Sequence, residues 1–209
     1  MSNRNTSKVR ILSIDGGGIR GIIPAVIIQY LETRIKALTN NKEAKIGDYF
    51  DLIAGTSTGG ILTCIYLCPD QADNTKPKYS ASNALDLYMN HGNKIFNKNF
   101  WQQFKNFKLW NENFPADNLE DLLDKYLGNT LLSQLTKPCV ITAYNFYERK
   151  AMFFNSADSR KLGGEVKEFK AKNVARATSA APTYFEPAMI NSLSDAPQYL
   201  IDGGVFVNN

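Results

Sequence analysis

The sequence predicts an α/β protein with a mostly parallel central sheet, and three observations carry that prediction. Short apolar runs alternate with stretches of helical period along the chain. Two of these runs end in glycine-bracketed turns that open straight into apolar helices, at "ILSIDGGGIRGII" (11–23) and "DLIAGTSTGGIL" (51–62). Strands alternating with helices imply a parallel sheet covered on both faces. Third, the chain has 209 residues, 44% hydrophobic and 21% charged, which suits one globular domain with a sizeable core.

The elements follow in order. Val9 to Ile14 reads as a buried strand. Ile23, Val26, Ile27, Tyr30, Leu31, Ile35 and Leu38 recur at helical spacing, giving an amphipathic helix that ends near Asn40, with Pro24 tolerated in its first turn. The stretch 49–67 repeats this grammar of strand, turn and helix. Ser80 to Asn90 predicts a helix through Ala84, Leu85, Tyr88 and Met89. Asp117 to Leu127 predicts another, with Asp117 as a cap and Gly128 as its stop. "PCVITAYNF" and "KAMFFN" read as strands, "NVARATSAAPTYF" as a short small-residue helix halted by Pro182, and Tyr199 to Ile201 as a last strand. No internal repeat or low-complexity segment interrupts the pattern.

Charge and cysteine usage narrow the classes. The net charge of +4 is too mild to indicate nucleic acid, and no nucleic-acid partner is expected. Cys64, Cys68 and Cys139 match neither a disulfide framework nor a zinc spacing and read as reduced, buried thiols, so no metal site is expected. Residues 1–8 are polar and carry no signal-peptide core, and no stretch is long enough to span a bilayer. A flexible N-terminus (1–8) ahead of one domain (9–209) is the expected organisation. The stretch Lys94–Trp110 holds four lysines, no acid and both tryptophans, with Phe96, Phe100, Phe104 and Phe107 at helical spacing. It fits an interfacial helix on anionic lipid, and equally an aromatic stripe packed on the core.

The chemistry concentrates in a few residues. "GTSTG" (55–59) is a G-x-S-x-G pattern between a strand and a helix, with Gly55 and Gly59 flanking Ser57. Such an elbow holds a serine in a strained turn at a helix N-terminus, where developing negative charge is favoured. Glycine and serine also make ordinary tight turns, so the pattern alone leaves both readings open. An α/β hydrolase triad places its histidine after the acid, toward the C-terminus, but no histidine follows His91, which reads as a helix-end or surface residue and argues against a Ser-His-Asp triad. Asp202 ends the apolar run "QYLI" just before Gly203 and Gly204, where open α/β sheets present functional groups; Asp-Gly is also a common turn dipeptide. Three consecutive glycines at 16–18 offer bare N–H groups that could face an oxyanion.

Four motifs in order, "DGGGIRG", "GTSTGG", "ATSAAPTYF" and "DGGVFVNN", resemble those of the patatin-like phospholipase family across nearly the whole chain. The resemblance implies a three-layer α/β/α fold and cofactor- and metal-free hydrolysis of lipid acyl esters, such as those of phospholipids, by a Ser–Asp dyad. Carried over, Ser57 is the nucleophile and Asp202 the residue that activates it. Gly16, Gly17 and Gly18 form the oxyanion loop with Arg20 helping to set it, and Asp15 anchors that loop. Family members usually continue beyond "NN", so the catalytic domain is expected to be truncated at its C-terminal end. The expected location is cytoplasmic or peripheral to a membrane, with export lacking a signal peptide also known in the family.

Two other readings stand beside this one. The same fold could bind lipid without turnover. Alternatively, Gly16, Gly18 and Gly21 form a G-x-G-x-x-G that could cradle phosphate. A dinucleotide site, however, wants an acid capping the second strand, and Glu32 and Glu43 lie in or just after the first helix instead.

Overall fold

The computed structural model describes residues 8–95, 117–161 and 164–208. Among them, six strands form one sheet. β1 (Ile11–Ile14) pairs in parallel with β2 (Leu52–Gly55), Ile11 opposite Leu52 and Ile14 opposite Gly55. β2 in turn runs parallel to β3 (Cys139–Asn145). The rest of the sheet is antiparallel: β4 (Lys150–Asn155) folds back on β3, β6 (Pro197–Asp202) also pairs with β3, and β5 (Ala188–Asn191) lies on β6. The sheet is thus mixed, and its parallel part holds the two glycine turns.

The register of β3 positions the site. Val140 pairs with Ala54 of β2 and with Asn155 of β4, so those strands lie on opposite edges of β3. Ala143 pairs with Asp202 of β6 and with Met152 of β4, so β6 shares the edge used by β2. β2 runs with β3 and stops opposite Ile141; β6 runs against it and stops opposite Ala143. Their C-terminal ends therefore meet at Thr142. Its hydroxyl lies 2.8 Å from that of Thr56. A Cβ on Gly203 would collide with Thr142, which is why the residue after Asp202 must be glycine.

The helices are α1 (Ile22–Thr39), α2 (Thr58–Leu67), α3 (Ala81–Ile95), α4 (Asp117–Leu127), α5 (Ser156–Ser159) and α6 (Ala171–Thr178). α2 is buried at every residue, as its unbroken apolar sequence demands, and packs against β1, β2, β3 and α6. Ile14, Ile53, Ile141, Phe154, Ile190 and Leu200 share the core-facing side of the sheet. Ile11, Phe153, Met189 and Tyr199 share the other side and are exposed. The fold is the layered α/β class that the sequence predicts.

Local signals set the helix ends. Asn40 adopts φ 50° and closes α1, and Gly128 does the same after α4. Glu32, buried in α1, accepts the N–H groups of Ile46 and Ala81, both at 2.9 Å, and the Lys36 ammonium, also at 2.9 Å. This carboxylate ties α1 to the chain before β2 and to the start of α3. Cys64, Cys68 and Cys139 are free and buried; burial pushes the Cys139 thiol up to about 11. β5 and α5 were not predicted: each spans four residues, too short for a periodic signal. The side chains of Lys94–Trp110 lie outside the described residues.

Candidate active site

Ser57 stands between β2 and α2 at φ 54°, ψ −125°, a conformation that L-residues rarely adopt. The neighbours explain how it is held. The Thr56 N–H donates to the carbonyl of Ile14 at 3.2 Å, and the Ser57 N–H donates to the Thr178 hydroxyl at 2.8 Å. The Gly59 N–H closes the turn on the Thr56 carbonyl at 2.8 Å. Gly59 has no room for a Cβ, which would strike the Ile14 carbonyl, and a Cβ on Gly55 would strike Gly59. The flanking glycines of "GTSTG" are thus fixed by close backbone approach. The result is a sharp, strained strand-to-helix turn with Ser57 at the N-terminus of α2.

Asp202 arrives from the other strand end. Its carboxylate accepts the Gly204 N–H at 2.7 Å and lines the same cavity as Ser57. Both residues are largely shielded, Ser57 being 8% exposed and Asp202 5%. Burial raises the Asp202 carboxyl above its ordinary value, and the neighbouring Ser57 hydroxyl and Gly204 N–H pull against that rise without cancelling it. His91, on α3, does not line the cavity beside Ser57.

That cavity has a volume of about 380 Å³. Gly16, Gly17, Gly18 and Arg20 line one side of it, and Tyr184 and Phe185 contribute an apolar portion. The three glycines do different work. A Cβ on Gly16 would sit 2.6 Å from the Ser57 Cβ and 2.9 Å from the Thr56 carbonyl, so only glycine lets the loop pass this close to the serine. The Gly16 N–H is already given to the Asn208 side chain at 2.7 Å. The amides of Gly17 and Gly18 have no acceptor among the described residues. Gly18 has φ 58°, in the left-handed region. The Gly17 carbonyl accepts from the Arg20 N–H at 3.1 Å and from its Nε at 3.4 Å. In a trans peptide the N–H points opposite to the C=O, so these two bonds also fix the direction of the Gly18 N–H.

Sequence reasoning missed three supports. Thr178 and Asn208 stood inside quoted motifs with no role assigned, and Thr142 stood in a strand with no signal at all. Asp15, expected to anchor the glycine loop, is exposed and its carboxylate makes no hydrogen bond among the described residues. Asn208 holds the loop instead, because the turn Gly203–Val205 brings the chain back over it. Among the described residues, no three His, Cys, Asp or Glu side chains gather where a metal ion could be held.

Comparison with known proteins decides the ancestry. The Patatin family model, described as patatin-like phospholipase, matches residues 12–209. The chain belongs to the patatin-like phospholipase family. It is 36% identical over 204 residues to patatin-17 of Solanum cardiophyllum, covering 94% of this chain and 49% of that protein. It is 34% identical over 201 residues to patatin-07 of Solanum tuberosum, covering 94% and 49%. The protein named probable inactive patatin-3-Kuras 1, also of Solanum tuberosum, is 36% identical over 203 residues, with 94% and 51% covered. The chain spans about half the length of these curated relatives. Among solved structures, VipD from Legionella pneumophila aligns with a TM-score of 0.48 at 15% identity, covering 97% of this chain and 47% of that one. Within this patatin-like chain, the motifs that carried the resemblance are those that surround the cavity.

Proposed function

We propose that this chain is a serine hydrolase of fatty-acyl esters, those of phospholipids or related lipids, with Ser57 as nucleophile and Asp202 as its base. The observation that carries the reading is that Ser57, held in its strained turn, and the buried Asp202 carboxylate line one cavity together, a cavity that the chain's one histidine does not line. A carboxylate raised above its ordinary value is a stronger base, which suits direct proton transfer from a serine.

The chemistry follows from the placement. Asp202 takes the Ser57 proton as the Oγ attacks the ester carbonyl. The charge that builds on the carbonyl oxygen meets the N–H groups of Gly17 and Gly18 at the N-terminal end of α2. Each such donor is typically worth about 3–4 kcal/mol in the transition state. Gly16 keeps the loop close to the serine, and Arg20 orients the peptide that supplies a donor. Collapse returns the proton to the leaving alcohol and leaves an acyl-Ser57. Water, deprotonated by Asp202, then releases the fatty acid. Lys94–Trp110 serves in this reading as a peripheral membrane contact on the strength of its sequence alone. Among the described residues no helix is long and apolar enough to cross a membrane.

The test is fatty-acid release from phospholipid in mixed micelles. Wild type releases fatty acid, and Ser57→Ala lowers the rate by about a thousandfold or more. Equal rates for the two proteins would refute the reading. A folded wild type that binds lipid and releases nothing would favour a non-catalytic lipid-binding module.

A further inference from the structure

α1 turns apolar side chains outward. Ile23, Val26, Ile27, Tyr30, Leu31 and Leu38 follow one another at the spacings of a helical stripe, and they are between 37% and 78% exposed. The buried side of the helix is narrow, consisting of Ala25, Ile28 and Glu32. A surface helix on a globular protein normally shows the reverse arrangement. Exposed apolar residues scattered singly are ordinary, but a contiguous row along one helix marks a contact surface.

Charge decides what kind of surface it meets. Arg34 is exposed within the stripe, four residues from both Tyr30 and Leu38, and the exposed Arg20 adds a positive charge just ahead of the helix. The acid of α1, Glu32, is buried and already holds two amides and the Lys36 ammonium. A second copy of this helix would bring no free carboxylate to Arg34 and would leave a guanidinium buried without a counter-charge. An anionic bilayer surface suits both features. The apolar chains enter the boundary of the acyl region while Arg34 reaches back to lipid phosphate. The stripe also begins three residues after Arg20, which lines the Ser57 cavity, and the turn Gly18–Gly21 runs directly into α1.

We propose that the exposed face of α1 docks the protein on an anionic lipid surface and so brings the mouth of the Ser57 cavity to its substrate. The choice of lipid rests on the proposed function; the docking face itself rests on the stripe and its charge.

The experiment sediments Ser57→Ala protein, which leaves the vesicles intact, with vesicles of equal phosphatidylglycerol and phosphatidylcholine. Adding Val26→Gln, Ile27→Gln and Tyr30→Gln together should lower the bound-to-free ratio at least about tenfold. These exposed changes replace the apolar surface with a good helix former, so the melting curve should be retained. Separately, Arg34→Glu should weaken binding to these vesicles and leave binding to pure phosphatidylcholine unchanged. A folded triple variant that binds as well as its parent overturns the proposal. So does sedimentation velocity showing that the triple change converts a dimer to a monomer while vesicle binding stays the same. A short-chain ester in free solution, turned over equally by the chain with and without the triple change in the Ser57 background, separates the two readings. If the Ser57 chain fails on that ester, the catalytic reading fails, and vesicle sedimentation still decides the docking face.

Discussion

Thr178→Val tests how the serine is held in its strained turn. Thr178 is fully buried on α6, and its hydroxyl is the acceptor for the Ser57 N–H at 2.8 Å. Valine keeps the shape and the methyl that lies beside Gly60, but it removes the acceptor. A buried amide left without a partner costs about 1–3 kcal/mol. Ser57 itself, at φ 54°, sits in a backbone region that costs a further 1–3 kcal/mol, roughly, unless its surroundings enforce it. The two are coupled, since relaxing the backbone is how the orphaned amide would find water. We expect a stability loss of about 2 kcal/mol, which for a domain of this size lowers Tm by roughly 4–8 °C. Reaction of Ser57 with a fluorophosphonate should slow at least about tenfold, because a shift near 1 Å in a reacting group can cost about a hundredfold. Thr178→Ser keeps the hydroxyl and should retain the labelling rate. If Thr178→Val labels and melts like wild type, the α6 hydroxyl does not hold the elbow and the reasoning fails.

The glycine loop offers a paired test: Gly16→Ala, with its Cβ 2.6 Å from that of Ser57, should lose more than about a hundredfold in ester turnover, whereas Gly17→Ala, whose Cβ meets nothing nearer than Arg20 at 3.4 Å, should fold normally and lose far less. Steady-state rates on one soluble ester decide it, and equal losses would contradict the division of labour. Glu32→Ala strands two buried amides and should cost about 3 kcal/mol or more in urea unfolding, while the folded fraction keeps its rate on soluble ester. The acid limb of kcat/KM should fall above the ordinary carboxylate value of about 3.9, because Asp202 is raised by burial and must be ionised to take a proton. The same shift carries a stability sign. A carboxyl raised in the folded state binds its proton more tightly there than when unfolded, so the Asp202 contribution to stability declines as pH rises through that window. Asp202→Asn should remove this decline, as pH-dependent melts would reveal.

The parts of the site that were legible in the sequence are those written in local chemistry. Three glycines after β1, the elbow around Ser57 and the "DGG" after β6 each demand a backbone that few residues allow, and the structure gives each a steric reason. Their meeting was not legible. It depends on β2 and β6 ending head to head along one edge of β3, a fact of register that neither strand announces. Thr142 fills that junction, and Thr178 and Asn208 act across more than a hundred residues of sequence, where no periodicity reaches. The short strand β5 went unread because four residues with alternate exposure carry too little pattern. The helix α1 was legible from its spacing, but period alone does not say which face is covered, and its apolar row faces outward.

The central claim is that Ser57 is a nucleophile activated by Asp202. Intact mass after exposure to a fluorophosphonate tests it most directly, on wild type beside Ser57→Ala and Asp202→Ala. The account predicts one adduct on wild type, none on Ser57→Ala and strongly reduced labelling of Asp202→Ala. An adduct that survives in Ser57→Ala, or a folded wild type that takes none, would contradict it.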